Sequence, residues 1–196
     1  MKQVTWIITE NTPLTPDTYR LRLTGDTEAI TAPGQFVNLK LAGFFLRRPI
    51  SVCDWTEGEL TLIYKVLGRG TAAMTAFAPG AALSVLTGLG NGYDTSCSGE
   101  RPLLVGGGVG AAPLFMLCER IAASEASVDV VLGAQTKDAL VCRERYAALL
   151  GGERPPEPTL NQRMTALRDQ IYEMCEEKGE WAAMPQARSQ AMHYMK

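Results

Sequence analysis

Arg48 and Ser51 stand three residues apart in Leu46-Arg47-Arg48-Pro49-Ile50-Ser51-Val52, a stretch that reads as the entry to a β-strand. Side chains alternate across a strand, so Arg48 and Ile50 share one face and Ser51 takes the other. A guanidinium presents a planar fork of donors that suits a diphosphate. A serine hydroxyl is a compact donor and acceptor for the edge of a ring. Together they meet two needs of a dinucleotide flavin: a cation on the pyrophosphate and a hydrogen-bonding group near N5 of the isoalloxazine. The same residues also read as an exposed arginine pair before an edge strand, because short motifs recur by chance.

A second segment, Ile63-Tyr64-Lys65-Val66-Leu67-Gly68-Arg69-Gly70-Thr71, runs from a strand through a glycine turn into a short helix. A helix start offers free N–H groups to a phosphate. Gly70 permits close backbone approach, and Thr71 suits either a helix cap or a phosphate contact. A third segment, Gly106-Gly107-Gly108-Val109-Gly110-Ala111, matches Gly-x-Gly-x-x-Ala between a strand and a helix. That context fits a loop receiving a pyrophosphate or nicotinamide ribose, or a tight strand-to-helix packing turn. Asp129 has roughly the spacing of a ribose-binding acid, but it falls at the beginning of its strand and carries no weight.

The elements that position these residues change character along the chain. Val4–Thr9, Thr18–Thr24, Gln35–Leu41, Pro49–Asp54, Glu59–Leu67 and Ala82–Leu86 read as short strands separated by turn signals such as Pro33-Gly34 and Pro79-Gly80. Six strands at this spacing predict a small antiparallel barrel, with one helix over Thr71–Phe77. From Arg101 the order becomes strand (Arg101–Val105), helix (Ala112–Ala123), strand (Ser127–Ala134), helix (Asp138–Leu150), which is a parallel α/β unit. The breaker-rich Gly151–Pro158 follows. A helix is then expected over Asn161–Lys178, with Met164, Leu167, Ile171, Met174 and Cys175 on one face. The expected division is 1–98, 99–150 and 151–196.

Composition removes several classes. The 196 residues carry a net charge of −2, which offers no basic field for nucleic acid. No stretch reaches the roughly 18 apolar residues of a membrane span. Met1–Trp6 lacks the apolar core of a signal peptide, so a cytoplasmic address is expected. The five cysteines, Cys53, Cys97, Cys118, Cys142 and Cys175, are widely spaced, and His193 is the one histidine. They read as isolated reduced thiols rather than a metal site. Cys53 shares the strand face of Ser51, which admits a place near the ring or simple burial. Trp6, Trp55 and Trp181 read as packing residues.

The order and roughly 20-residue spacing of the first two segments resemble the flavin site of the ferredoxin-reductase family. Leu46–Ser51, Tyr64-Lys65-Val66, Gly68–Thr71, Gly88-Leu89-Gly90-Asn91-Gly92-Tyr93 and Leu104–Leu114 together resemble the electron-transfer subunit of the NAD-linked dihydroorotate dehydrogenases, over about residues 1–150. That resemblance implies a six-stranded FAD-binding barrel followed by a partial nicotinamide-binding α/β unit. It implies FAD held by Arg48, Pro49, Ile50, Ser51, Ile63, Tyr64, Lys65, Gly70 and Thr71. It places NAD(H) at Gly106, Gly107, Gly108, Val109, Gly110 and Ala111. It further implies a hetero-oligomer with a catalytic dihydroorotate dehydrogenase subunit in pyrimidine biosynthesis, electrons passing between that partner and NAD.

One part of the family pattern is missing. The family subunit carries further nicotinamide-domain strands and four closely spaced cysteines for a [2Fe-2S] cluster. Past residue 150 this chain has only Cys175, and one thiolate cannot hold a cluster that needs about four ligands. Residues 155–196 admit three readings: a cover for an open sheet edge, an association segment, or a truncated or shifted reading frame. Two alternative functions therefore stand beside electron transfer to a partner. One is a non-catalytic remnant or interaction module. The other is a stand-alone NAD(P)H-flavin reductase.

Overall fold

The alternating segments become strands β1 (Lys2–Pro13), β2 (Thr18–Thr24), β3 (Phe36–Leu39), β4 (Arg48–Thr56), β5 (Glu59–Lys65) and β6 (Ala82–Leu89). They close into an antiparallel barrel in the order β1-β2-β5-β4-β3-β6, as the sequence leads one to expect. The structure, a computed structural model, describes residues 1–96, 99–124 and 127–152. The expected helix over 161–178, together with Cys97, Cys175, Trp181 and His193, lies outside the described residues.

Period-two burial fills the barrel. Leu21, Val37, Leu39, Leu62 and Val85 are fully buried around Trp6. Burying each such aliphatic side chain stabilises by about 1.5–3 kcal/mol. β1 is longer than the expected Val4–Thr9 because it serves two neighbours. Lys2–Ile7 pairs with β6 and Ile7–Pro13 with β2, the register shifting between Ile8 and Glu10. Such a bulge bends a strand and lets it turn a barrel corner.

Tyr64 at the end of β5 is 1% exposed inside the barrel, stacked on Tyr19 at 5.5 Å. Its hydroxyl donates to Asn11 Oδ1 at 3.1 Å. The amide of Asn11 in turn donates to the carbonyls of Met74 at 2.9 Å and Phe77 at 3.3 Å. This contact anchors helix α1 (Arg69–Met74), which begins and ends earlier than the expected Thr71–Phe77. The helix ends at Met74, and Asn11 takes up carbonyls the helix leaves open.

The second layer contains β7 (Leu103–Gly107), a 3-10 segment over Gly108–Leu114, α2 (Phe115–Ala123), β8 (Asp129–Gly133) and α3 (Arg143–Leu149). β7 and β8 are parallel, Leu103 opposite Asp129 and Gly107 opposite Gly133. The expected helix from Ala112 begins three residues later. Pro113 has no N–H to donate and the glycines before it have low helix propensity, so tight 3-10 turns lead in. The expected helix Asp138–Leu150 is broken by Cys142, whose φ of +62 is left-handed. Met1–Gly152 forms one compact unit. No helix among the described residues is long and apolar enough to cross a membrane.

Burial raises the Tyr64 hydroxyl to about 12, the contact with Asn11 partly opposing it. An unfolded tyrosine ionises near 10, so the unfolded chain releases this proton first. The stability it contributes is whole below pH 10 and is lost as pH rises toward 12. Urea midpoints should fall across that interval, and Tyr64→Phe should flatten the decline. An equally steep decline in the variant would contradict this. Leu62→Ala should cost about 2–5 kcal/mol in the same assay. Leu67→Ala, at a side chain 82% exposed, should stay within about 0.5 kcal/mol.

Candidate functional site

β4 and β5 each present two faces, and both faces are used. On the inner face Val52, Leu62 and Tyr64 belong to the barrel core. On the outer face Cys53 and Ile63 belong to a second cluster with Ala111, Ala112, Phe115, Cys118 and Tyr146. Val52 and Cys53 are therefore adjacent, both buried, and in different cores. The register shift between Val52 and Asp54 accommodates the extra residue. The first half of β4 is not covered: Pro49 and Ser51 are exposed, Ser51 on the same outer face as Cys53. The glycine-rich segment packs directly on β4 and β5. Ser51 thus lies on the strand face against which Gly108–Leu114 is laid.

Arg48 and Gly70 converge. A Cβ added at Gly70 would stand 2.0 Å from Arg48 Nε, so the guanidinium lies flat on that glycine. Arg48 Nη1 donates to the carbonyl of Leu46 at 2.8 Å, and the guanidinium carbon sits 5.1 Å from the Phe44 ring centroid. No carboxylate lies within ion-pair distance of Arg48 among the described residues. Its neighbour Arg47 is spent on the barrel wall, donating to Ser84 O at 3.2 Å and Gln3 Oε1 at 3.1 Å. Of the twin arginines, Arg48 is the cation left for a ligand.

The other expected residues divide. Thr71 Oγ1 accepts from the N–H groups of Leu67 at 2.9 Å and Gly68 at 3.2 Å, so its hydroxyl closes the turn. Lys65 is paired with Asp17 at 3.0 Å. Tyr64 points into the barrel, which leaves only its main chain for a ligand outside. Ile50 packs toward the barrel core and Ile63 into the second cluster.

In the glycine-rich segment each glycine has its own reason. A Cβ at Gly106 would meet Ala111 Cα at 2.9 Å, so this glycine serves close strand-to-helix packing. At Gly107, Gly108 and Gly110 a Cβ would have nothing within 4 Å, and Gly108 is left-handed at φ +52. Tyr146 holds the end of the segment, its buried hydroxyl donating to Ala111 O at 2.8 Å. Asp129 pairs with Arg101 at 3.1 Å, at the opposite end of β7–β8 from the glycines.

Three features carry no signal in the sequence. Tyr146 is one. The second is Gln35, 7% exposed, whose Oε1 accepts from Thr31 N at 2.7 Å while Nε2 donates to Gly90 O at 3.1 Å. It clasps the Gly88–Tyr93 segment to the loop before β3, where Tyr93 N donates to Pro33 O at 2.8 Å. The third is Arg145, which reaches from α3 to Asp54 and lies over Phe115 at 3.7 Å. Only the buried polar partners reveal these roles, and no spacing rule encodes them.

A dinucleotide flavin fits this geometry: a cation with no carboxylate partner among the described residues on a bare glycine, an exposed serine beyond it on the same strand, and open glycines alongside. The described residues do not fit an iron–sulfur cluster. No three His, Cys, Asp or Glu side chains come together among the described residues, and a cluster takes about four thiolates.

No family model matches the chain. Among curated proteins, the dihydroorotate dehydrogenase B (NAD(+)) electron transfer subunit of Geobacillus sp. (strain WCH70) is 39% identical over 155 residues, covering 75% of this chain and 60% of that protein. The corresponding subunit of Bacillus caldolyticus is 42% identical over 139 residues, 67% of this chain and 54% of that protein. The chain thus spans little more than half the length of these relatives. Among solved structures, an NADH-dependent reduced ferredoxin-NADP oxidoreductase superposes with TM-score 0.70 at 25% identity, covering 83% of this chain and 62% of that one. A ferredoxin NADP+ reductase from Neisseria gonorrhoeae, with bound FAD and NADP, gives 0.66 at 18% identity over 76% of this chain and 64% of that one. The chain is a homologue of the dihydroorotate dehydrogenase B electron transfer subunits, and its fold is of the ferredoxin-NADP reductase type.

The two kinds of glycine should separate on substitution. Gly106→Ala forces a methyl against backbone 2.9 Å away and should cost about 1–3 kcal/mol in urea unfolding. Gly107→Ala meets nothing within 4 Å and should stay within about 0.5 kcal/mol. Equal costs would contradict the packing role of Gly106.

Proposed function

We propose that this chain binds FAD along the outer face of β4 and passes electrons between NAD(H) and a partner dehydrogenase. The observation that carries the reading is the Arg48–Gly70 contact, which puts a guanidinium without a carboxylate partner among the described residues over backbone with no side chain. A diphosphate laid there meets the cation and the N–H groups of Arg69, Gly70 and Thr71 together. A charge-assisted hydrogen bond of this kind is about twice as strong as a neutral one.

The flavin supplies a carrier that exchanges two electrons with a nicotinamide and one at a time with other centres. The chain's own residues bind and orient it. Ser51, exposed beyond Arg48 on β4, is the hydrogen-bonding group for the ring edge at N5. Pro49, Ile63 and the main chain of Ile50, Tyr64 and Lys65 form the strand surface along which the cofactor lies. Lys65, neutralised by Asp17, contributes shape more than charge. Gly70 and Thr71 shape the turn beneath the diphosphate. Gly107–Gly110 leave room for a nicotinamide ribose and phosphate, with Gly106, Val109 and Ala111 fixing that segment against the barrel. Residues 1–98 then act as the flavin part, 99–150 as the nicotinamide part and 151–196 as an appended segment.

Relatives named as electron transfer subunits support a division of labour, in which a separate catalytic subunit oxidises dihydroorotate in pyrimidine biosynthesis. The assembly is then a hetero-oligomer and its site of action cytoplasmic. No step is routed through an iron–sulfur cluster, because the described residues do not fit one.

FAD titration, followed by quenching of flavin fluorescence, tests the binding half of this reading. Arg48→Ala should weaken binding roughly 10- to 150-fold, the equivalent of about 1.5–3 kcal/mol for a hydrogen bond to a charged group. Gly70→Ala should act in the same direction, since its methyl displaces the guanidinium. Arg47→Ala should lower stability and leave FAD affinity within a few-fold. Wild-type affinity in both Arg48→Ala and Gly70→Ala would overturn the assignment.

A further inference from the structure

Two thiols meet at the seam between the barrel and the α/β layer. Cys53 Sγ and Cys142 Sγ are 3.9 Å apart, although 89 residues separate them in sequence. That is van der Waals contact, about 2 Å longer than a disulfide bond. Cys53 is fully buried in β4, two residues beyond Ser51. Cys142 is partly exposed and stands immediately before α3. Its φ of +62 is the one positive value at a non-glycine among the described residues. A β-carbon there is strained, and such outliers collect at functional positions. The conformation also holds the thiol against its partner.

The surroundings favour chemistry at sulfur. Arg145 Nη1 lies 3.9 Å from Cys53 Sγ, and its guanidinium is fixed between Phe115 and Asp54. We propose that Cys53 and Cys142 form a reversible disulfide on reaction with a peroxide, Cys142 attacking and Cys53 resolving. In the first step the Cys142 thiolate attacks one peroxide oxygen. An S–O bond forms, the O–O bond breaks, and the departing hydroxide takes up a proton to leave as water. In the second step Cys53 sulfur attacks the sulfenic acid at Cys142. The S–S bond forms, the S–O bond breaks, and the hydroxide takes the Cys53 proton. Two thiols and one hydrogen peroxide give one disulfide and two waters, the sulfurs supplying both electrons. The assignment of roles agrees with the local acidity. The hydrogen bond from Cys53 holds the Cys142 thiol below its usual value against the cost of burial. The same contact, with burial, pushes Cys53 well up, so Cys53 keeps its proton until it attacks.

Cys118 provides the internal comparison. It is fully buried in the same cluster, and burial pushes its thiol up to about 11. The Cys53–Cys142 link would tie β4, next to Ser51, to the layer that carries the glycine-rich segment. It requires no flavin, so it stands or falls separately from the function proposed above.

The test is peptide mapping of the full-length protein under non-reducing conditions, after treatment with stoichiometric hydrogen peroxide. Trypsin releases Cys53 in peptide 48–65 and Cys142 in peptide 138–143. These two should appear joined, two hydrogens lighter than their sum, and should separate with dithiothreitol. The urea midpoint of the oxidised protein should rise and return on reduction. Cys118→Ser should change neither result. Cys53→Ser should leave a sulfenic acid at Cys142 that dimedone traps, and Cys142→Ser should abolish both link and trap. Folded wild-type protein that keeps both thiols free under peroxide, or that joins either cysteine to a different one, would overturn the proposal. That reading needs no variant to fold.

Discussion

The structure depends on one strand pair having two buried faces. β4 and β5 send Val52, Leu62 and Tyr64 into the barrel and Cys53 and Ile63 into the second layer. Ordinary antiparallel strands bury one face and expose the other. Here the outer face is buried only along the second half of β4, where Ala111, Ala112 and Phe115 cover it. The first half, from Arg48 to Ser51, is left open at the edge of that cover. The bulge at Cys53 marks the change, because the strand must gain a residue to serve both cores. An exposed strand segment beside a packed seam follows from this arrangement without any dedicated loop.

The same constraint fixes electrostatics. Arg48 sits at the rim where the strand begins, with Gly70 beneath it and no acid beside it among the described residues. Arg47, one residue earlier, faces the barrel wall and turns both Nη groups to Asn38, Ser84 and Gln3 there. A charge in this position is stabilised by carbonyls and the Phe44 ring rather than by a counter-ion. It is therefore available to an anionic ligand at little cost, since no ion pair must be broken first. Tyr146 and Gly106 hold the glycine-rich segment where it packs on β4 and β5.

Much of this is legible in the sequence, and the reasons differ by element. The barrel strands carry a period-two pattern that only tertiary pairing could override, and it does not. That Arg48 and Gly70 come together, with Ser51 exposed on the same strand, agrees with the spacing that singles these residues out. Tyr64 is legible as a position, and its ring points into the barrel because it alternates in step with Leu60 and Leu62 along β5. The helix expected over Asp138–Leu150 is too long because nothing marks Cys142 as left-handed, a conformation imposed by its packing. Gln35 and Asn11 are silent for another reason: a lone side-chain amide, in a loop or in a strand, satisfies partners far away in sequence, which local patterns do not encode.

The central claim is that the outer face of β4 and the glycine-rich segment form one redox site. Its most direct test is an anaerobic titration of the FAD-reconstituted protein with NADH, following the flavin absorbance band. The account predicts bleaching that ends near one NADH per flavin. A protein that retains FAD and stays fully oxidised in excess NADH would contradict it.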